Sequence, residues 1–271
     1  MGFGFLFVGD WFLLGVLKEE REVFVSMRNV HQQFGSQKVL RGVDLDIYRG
    51  ETLVLLGGSG AGKSVLMKHI CGLLCPVEGT VMVDGEEISR KGEREMAEVR
   101  RKVSMMFQNG ALFDSLSVAG NIAFPLREAG ERNRGVIEEK VKQALDIVRL
   151  PGQEEKMPSD LSGGMRKRVA LARAVVEMPC MVLFDEPHAG LDPVTADTID
   201  HLIKDLADDH EMTNVVVTHE MRSVFRIADR VVFMKDGQIY FEGTGRELKE
   251  TNDPLLRDFI EGRSERGGAW E

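Results

Sequence analysis

The chain has 271 residues, 43% hydrophobic and 29% charged, with a formal net charge of -9. That length can bury a sizeable core as one large domain or two small ones. The acidic balance excludes a nucleic-acid binder that works by broad phosphate neutralisation, which needs clustered Lys and Arg. Cys71, Cys75 and Cys180 form no CxxC pair and leave an odd count, so neither a disulfide framework nor a zinc site is expected, and a reducing compartment fits.

The first segment, MGFGFLFVGDWFLLGVL, is apolar but is interrupted by Asp10 and followed by KEERE. A membrane span needs about 20 apolar residues, and a signal peptide needs a basic start and a small-residue cleavage site. Residues 1–22 are therefore read as an apolar N-terminal extension, from a misassigned start or as a loosely packed flap, with membrane-surface contact as the alternative. From Val23 onward FVSMRNVHQQFG, VLRGVDLDIYRG and ETLVLLGG read as strands broken by Gly and charged turns. SVLMKHICGLL then has helical spacing, and TVMVDGEEI reads as a hairpin strand. Residues 109–175 carry helical periodicity, as in VIEEKVKQALDIVRL, and predict a helical subdomain. Strand-like runs return at MVLFD, NVVVTH and RVVFMKDGQIYFEG, with the helix TADTIDHLIKDLADDH between the first two. This alternation predicts an α/β domain over residues 23–262 with a mainly parallel sheet, followed by a tail at 263–271.

GGSGAGKS, Gly57 to Ser64, matches G-x-x-x-x-G-K-[ST] between a predicted strand and a predicted helix. Glycines let such a loop turn its N–H groups inward around phosphates, and the following helix adds its positive end. The expected ATP-binding residues are Gly57, Gly58, Ser59, Gly60, Ala61, Gly62, Lys63, Ser64 and Val65. Lys63 supplies a cation for the β- and γ-phosphates, and Ser64 a hydroxyl for Mg²⁺. MVLFDEP delivers two adjacent carboxylates at a strand's C-terminal end, Asp185 for Mg²⁺ and Glu186 as general base toward an attacking water. His219 follows the strand VVVTH and is expected on the same sheet edge, within reach of the γ-phosphate.

LSGGMRKRVALARA, Leu161 to Ala174, presents a second glycine-bearing helix start with free N–H donors. With these motifs together the chain resembles the ATP-binding subunits of ABC transporters, over about Val23 to Gly262. The resemblance rests on GGSGAGKS, Gln108, LSGGM, FDEP, HAGLDP with Asp192, and His219. It implies a P-loop NTPase fold of ABC type, with a mainly parallel central sheet, an antiparallel β subdomain and a helical signature subdomain. It also implies a head-to-tail homodimer in which Ser162, Gly163 and Gly164 grip the γ-phosphate held by the other chain's Lys63 and Ser64. Gln108 would touch Mg²⁺ and the attacking water, and Phe34 would lie near adenine, although core packing accounts for Phe34 equally well. The D-loop departs from the commoner serine-containing form by placing His188 and Ala189 ahead of GLD, and the resemblance assigns His188 no role.

FQNGALFDSLSVAGNIAFPLRE, GKSVLMKHICGLLCPVEG and NDPLLRDFIEG look more specifically like the ATPases of the Mla and Mce lipid-transport systems. That likeness implies phospholipid movement through an integral, MlaE-like permease, with an Mce-domain substrate-binding protein as a further partner and no nucleic acid. The ATPase would then sit at the cytoplasmic face of the inner membrane. Leu112, Phe113, Leu116, Val118 and Phe124 are candidates to line the permease groove, with Val118, Ile122 and Phe124 expected in the subdomain core and Leu112 and Phe113 nearer the interface. The alternatives are the ATPase of an amino-acid or other solute transporter, or an ABC ATPase acting on DNA or the ribosome. Against the last, only about 100 residues separate the cradle from LSGG, without sustained heptads, and the chain has one ATPase domain.

Overall fold

The computed structural model describes residues 21–263; the expectations for residues 1–20 and 264–271 lie outside the described residues. The elements run β1 (Val23–Phe34), β2 (Gln37–Tyr48), β3 (Thr52–Gly57), α1 (Lys63–Ile70), β4 (Glu78–Val83), β5 (Glu86–Glu87), α2 (Glu93–Lys102) and β6 (Val103–Met106). They continue with α3 (Val118–Glu128), α4 (Arg134–Ile147), α5 (Gly163–Val175), β7 (Met181–Asp185), α6 (Pro193–His210), β8 (Thr213–Val217), α7 (Met221–Ile227), β9 (Arg230–Lys235), β10 (Gln238–Gly243), α8 (Gly245–Glu250) and α9 (Pro254–Ile260).

Two sheets form. The larger has six strands in the order β10-β9-β3-β8-β7-β6, parallel except for the β9/β10 hairpin, and the smaller is antiparallel in the order β2-β1-β4-β5. Every residue of β3 is buried, as expected of a central parallel strand covered on both faces. Its side chains alternate: Leu53 and Leu55 join the core with α1 and the small sheet, while Val54 and Leu56 join the core with α3, α4, α5 and α6. β7 repeats the division, with Met181 and Leu183 on the first side and Val182 and Phe184 on the second. The architecture is the ABC-type α/β arrangement that the resemblance implies.

Three local readings differ from expectation. α1 stops at Ile70, where the Leu73 and Leu74 N–H groups both turn back to the Lys68 carbonyl. α2 and the four-residue β6 arise where no element was expected, because α2 is highly charged and VSMM is too short to show a period. Phe124 is exposed rather than in the core. On α3 the buried face is Val118, Ile122 and Leu126, and position 124 lies about 200° round from Ile122 at roughly 100° per residue. Among the described residues no helix is long and apolar enough to cross a membrane.

Candidate functional site

Four adjacent parallel strands, β3, β8, β7 and β6, end on one sheet edge, where ligands bind in open α/β sheets. The sequence after each strand supplies one part of the site: the cradle after β3, Thr218 and His219 after β8, Asp185 and Glu186 at the end of β7, and Gln108 after β6.

Gly57 closes β3 at φ 140°, and a Cβ there would stand 2.2 Å from the Met234 carbonyl oxygen, so only glycine fits between β3 and β9. Lys63 opens α1, and its Nζ donates to the carbonyls of Gly57 (2.7 Å) and Gly58 (2.9 Å). Burial pulls the Lys63 pKa down, against the opposing carboxylates of Glu186 and Asp185. Ser64 donates its hydroxyl to Asp185 Oδ1 at 3.4 Å. Burial, reinforced by the adjacent Glu186, pushes the Asp185 carboxyl up. Ser59 and Gly60 are exposed, Gly58 and Val65 partly so, and Ala61 and Gly62 are buried.

Glu186 has a left-handed backbone at φ 49°, a strained conformation for a residue with a Cβ. It persists because its surroundings over-determine it. Its N–H donates to the Val217 carbonyl at 2.9 Å, while its carbonyl accepts from the Ala189 N–H at 3.1 Å and from Lys167 Nζ at 3.3 Å. Its carboxylate meets His219 Nε2 at 2.9 Å. An ionised carboxylate only accepts, so Nε2 carries the proton in that contact.

Lys167 is a residue that the motif reading missed. It is buried on α5, and its Nζ also donates to the Gln108 carbonyl, so one ammonium ties the backbones of Gln108 and Glu186 together. Arg173, two turns on, donates to the carbonyls of Gly110 and Ala111, each at 2.7 Å. From α3, the fully buried Asn121 accepts from the Phe113 N–H (2.7 Å) and donates to the carbonyls of Phe113, Leu116 and Ser117. Charge and an isolated amide inside helical stretches were the available signals, but they identify no partner without the fold.

Ser162 caps α5 by accepting from the Met165 N–H at 3.2 Å, which leaves Ser162 and Gly163 exposed at the helix start. A Cβ on Gly164 would stand 2.3 Å from Thr195 Cγ2, so this glycine permits close approach of α6. Among the described residues no hydrogen bond or ion pair joins Ser162, Gly163 or Gly164 to Lys63 or Ser64. Asp192 caps α6 through the N–H groups of Val194 and Thr195. Phe34 is 48% exposed at the end of β1, which removes core packing as its explanation.

The stretch after Gln108 divides between core and surface. Val118 and Ile122 are buried, Leu112 packs partly against the same core, and Phe107, Phe113 and Phe124 are exposed. The Phe113 and Phe124 rings pack at 4.7 Å between centroids with their planes tilted by 47°, and the Arg173 guanidinium lies 5.9 Å over Phe113. A cleft of about 920 Å³ opens between α3 and α4, lined by apolar side chains such as Leu116, Ala123 and Ile137 and by charged ones such as Arg127, Glu138 and Lys142.

The family model of ABC transporters matches residues 40–189. The chain belongs to the ABC transporter family. It is 37% identical over 241 residues to the intermembrane phospholipid transport system ATP-binding protein MlaF of Haemophilus influenzae, covering 89% of this chain and 91% of that protein. It is 38% identical over 241 residues to the probable ribonucleotide transport ATP-binding protein mkl of Mycobacterium tuberculosis, covering 89% of this chain and 67% of that protein. Among solved structures, the dimeric post-hydrolysis ATP-binding cassette MJ0796 with ADP and Pi matches at TM-score 0.75 and 31% identity, covering 82% of this chain and 99% of the other. The cassette cbiO1 from Clostridium perfringens matches at TM-score 0.77 and 27% identity, covering 89% and 99%. This ABC ATPase is accordingly an ATP-binding, ATP-hydrolysing subunit.

Proposed function

We propose that this ABC ATPase drives phospholipid movement between membranes, as the motor of an Mla/Mce-type transporter. The observation that carries the reading is the 37% identity to the phospholipid-transport ATPase over almost the full length of both proteins. Supporting it is the exposed Phe113–Phe124 pair, an aromatic surface suited to an apolar segment of an MlaE-like permease. The permease would hold the subunit at the cytoplasmic face of the inner membrane, with an Mce-domain protein as a further partner.

In the hydrolytic site, Lys63 and the cradle N–H groups bind the β- and γ-phosphates, and Glu186 accepts the proton of the attacking water, held by His219. Gln108 would contact the same water, and Phe34 would offer an aromatic face to adenine. The Ser64 hydroxyl and the Asp185 carboxylate are hard oxygen donors 3.4 Å apart, a set that fits Mg²⁺ with water completing its shell. Bound there, with Gln108 beside it, Mg²⁺ would neutralise phosphate charge. Ser162, Gly163 and Gly164 point their helix start outward and serve a second copy in a head-to-tail dimer.

A second reading has the same motor moving a nucleotide-like or other solute, favoured by the mycobacterial relatives named for ribonucleotide transport. Affinity purification in mild detergent, with mass spectrometry of co-purifying subunits and small molecules, separates the two. Phospholipid together with an Mce-domain subunit is the expected result. A soluble solute receptor without lipid enrichment would replace the lipid reading by the second.

A further inference from the structure

His188, which the family pattern leaves without a role, is buried between the D-loop, α6 and the turn after β8. Its Nε2 lies 2.7 Å from Asp200 Oδ1, and its Nδ1 lies 3.2 Å from Thr218 Oγ1. Asp200 is also buried, and its other oxygen accepts from Arg226 Nη1 at 3.2 Å. Arg226 in turn pairs with Asp197.

The proton directions follow from the partners. The Asp200 carboxylate only accepts, so Nε2 carries a proton, and in the neutral imidazole Nδ1 is then the acceptor. The Thr218 hydroxyl donates to Nδ1, and its oxygen accepts the Glu220 N–H at 3.1 Å. Every polar atom of this buried chain then has a partner, the condition under which such a network rigidifies its surroundings.

Its position ties it to hydrolysis. His188 follows Glu186 by two residues, and Thr218 immediately precedes His219. Three bonds thus join the same two turns: Glu186 N–H to the Val217 carbonyl, Thr218 hydroxyl to His188, and His219 to the Glu186 carboxylate. Without the middle one, the turn bearing His219 would be tied to the strained Glu186 only at its start and by the exposed contact itself. We propose that His188 is a positioning residue that sets the Glu186–His219 distance through Thr218, with Asp200 fixing its ring. The inference rests on reading Glu186 and His219 as the hydrolytic pair.

The test compares steady-state ATP hydrolysis and thermal midpoints of Thr218→Val, Thr218→Ser, His188→Ala and the double variant His188→Ala/Thr218→Val. Thr218→Val leaves the His188–Asp200 bond in place and changes little volume, so it covers the case in which His188→Ala does not fold. The expected result is a fall in kcat of about ten- to hundred-fold for Thr218→Val, the scale of a misplaced reacting group, with KM for ATP within about two-fold. Thr218→Ser should restore turnover, and the double variant should lose no more than the worse single one. Folded Thr218→Val with wild-type kcat, or single losses that multiply in the double variant, would overturn the proposal. Glu186→Gln and His219→Ala in the same assay separate the two layers. If they retain turnover, the pair itself has been misread; if they lose it while Thr218→Val does not, only the His188 role fails.

Discussion

Asp185 and Glu186 sit side by side at the end of β7, and burial raises the Asp185 carboxyl pKa, helped by its neighbour's charge. A carboxyl with a raised folded pKa holds its proton more tightly folded than unfolded. Stability therefore falls as pH rises from the ordinary 3.8 through the raised folded value, above which the ionised carboxylate carries the cost. Asp185→Asn should accordingly raise the thermal midpoint of the nucleotide-free protein at pH 7, by about 2–4 °C for each kcal/mol relieved, and abolish Mg²⁺-dependent turnover. The gain should shrink toward pH 4, where the wild-type carboxyl also becomes neutral. A midpoint at pH 7 below that of wild type would show that the charge is already compensated. Motif spacing nominated Lys63, Ser64, Asp185, Glu186 and His219, because each proposed chemical role calls for a particular residue type. It could not name Lys167 or Asn121, whose importance lies in carbonyls supplied by distant turns.

α5 begins at the exposed Ser162 and ends against the stretch after Gln108, so this helix physically joins the signature motif to the glutamine loop. Lys167 adds a direct tie to Glu186, and a shift of the helix start would be transmitted to both carbonyls that it holds. α3 supplies the other wall through Asn121 and presents Phe124 outward. Helical periodicity located both elements but not the partner of the Phe124 ring, since packing on Phe113 depends on how Asn121 folds the intervening loop. Phe113→Asp with Phe124→Asp should abolish retention of the permease in detergent pull-down. Both side chains are partly exposed and no core cavity is made, so the variant should stay folded and lose about 1–2 kcal/mol, the scale of the lost ring pair and cation–π contact. Undiminished permease recovery from this folded variant would remove the aromatic pair from the docking surface.

At the scale of the whole molecule, α1 and α5 are the helix starts proposed to face phosphates, and among the described residues no polar contact joins the second to the first. In the proposed head-to-tail dimer a second copy would bring them together, and MJ0796 is itself a dimeric cassette. Glu186→Gln should keep ATP binding while losing turnover, and ATP with Mg²⁺ should shift it from 30.3 kDa to twice that mass in light scattering. A monomer at saturating ATP would count against the head-to-tail dimer. The sequence by itself determined the fold class and nominated the cradle and the hydrolytic residues, because strand periodicity and fixed motif spacing are local properties of the chain. Only the tertiary structure decided that Phe124 faces solvent, that Lys167 binds the carbonyls of Gln108 and Glu186, and that His188 bridges Asp200 to Thr218. Those are contacts between side chains and turns separated by 12 to 59 residues, and it is the order of strands in the sheet that brings them within hydrogen-bond distance.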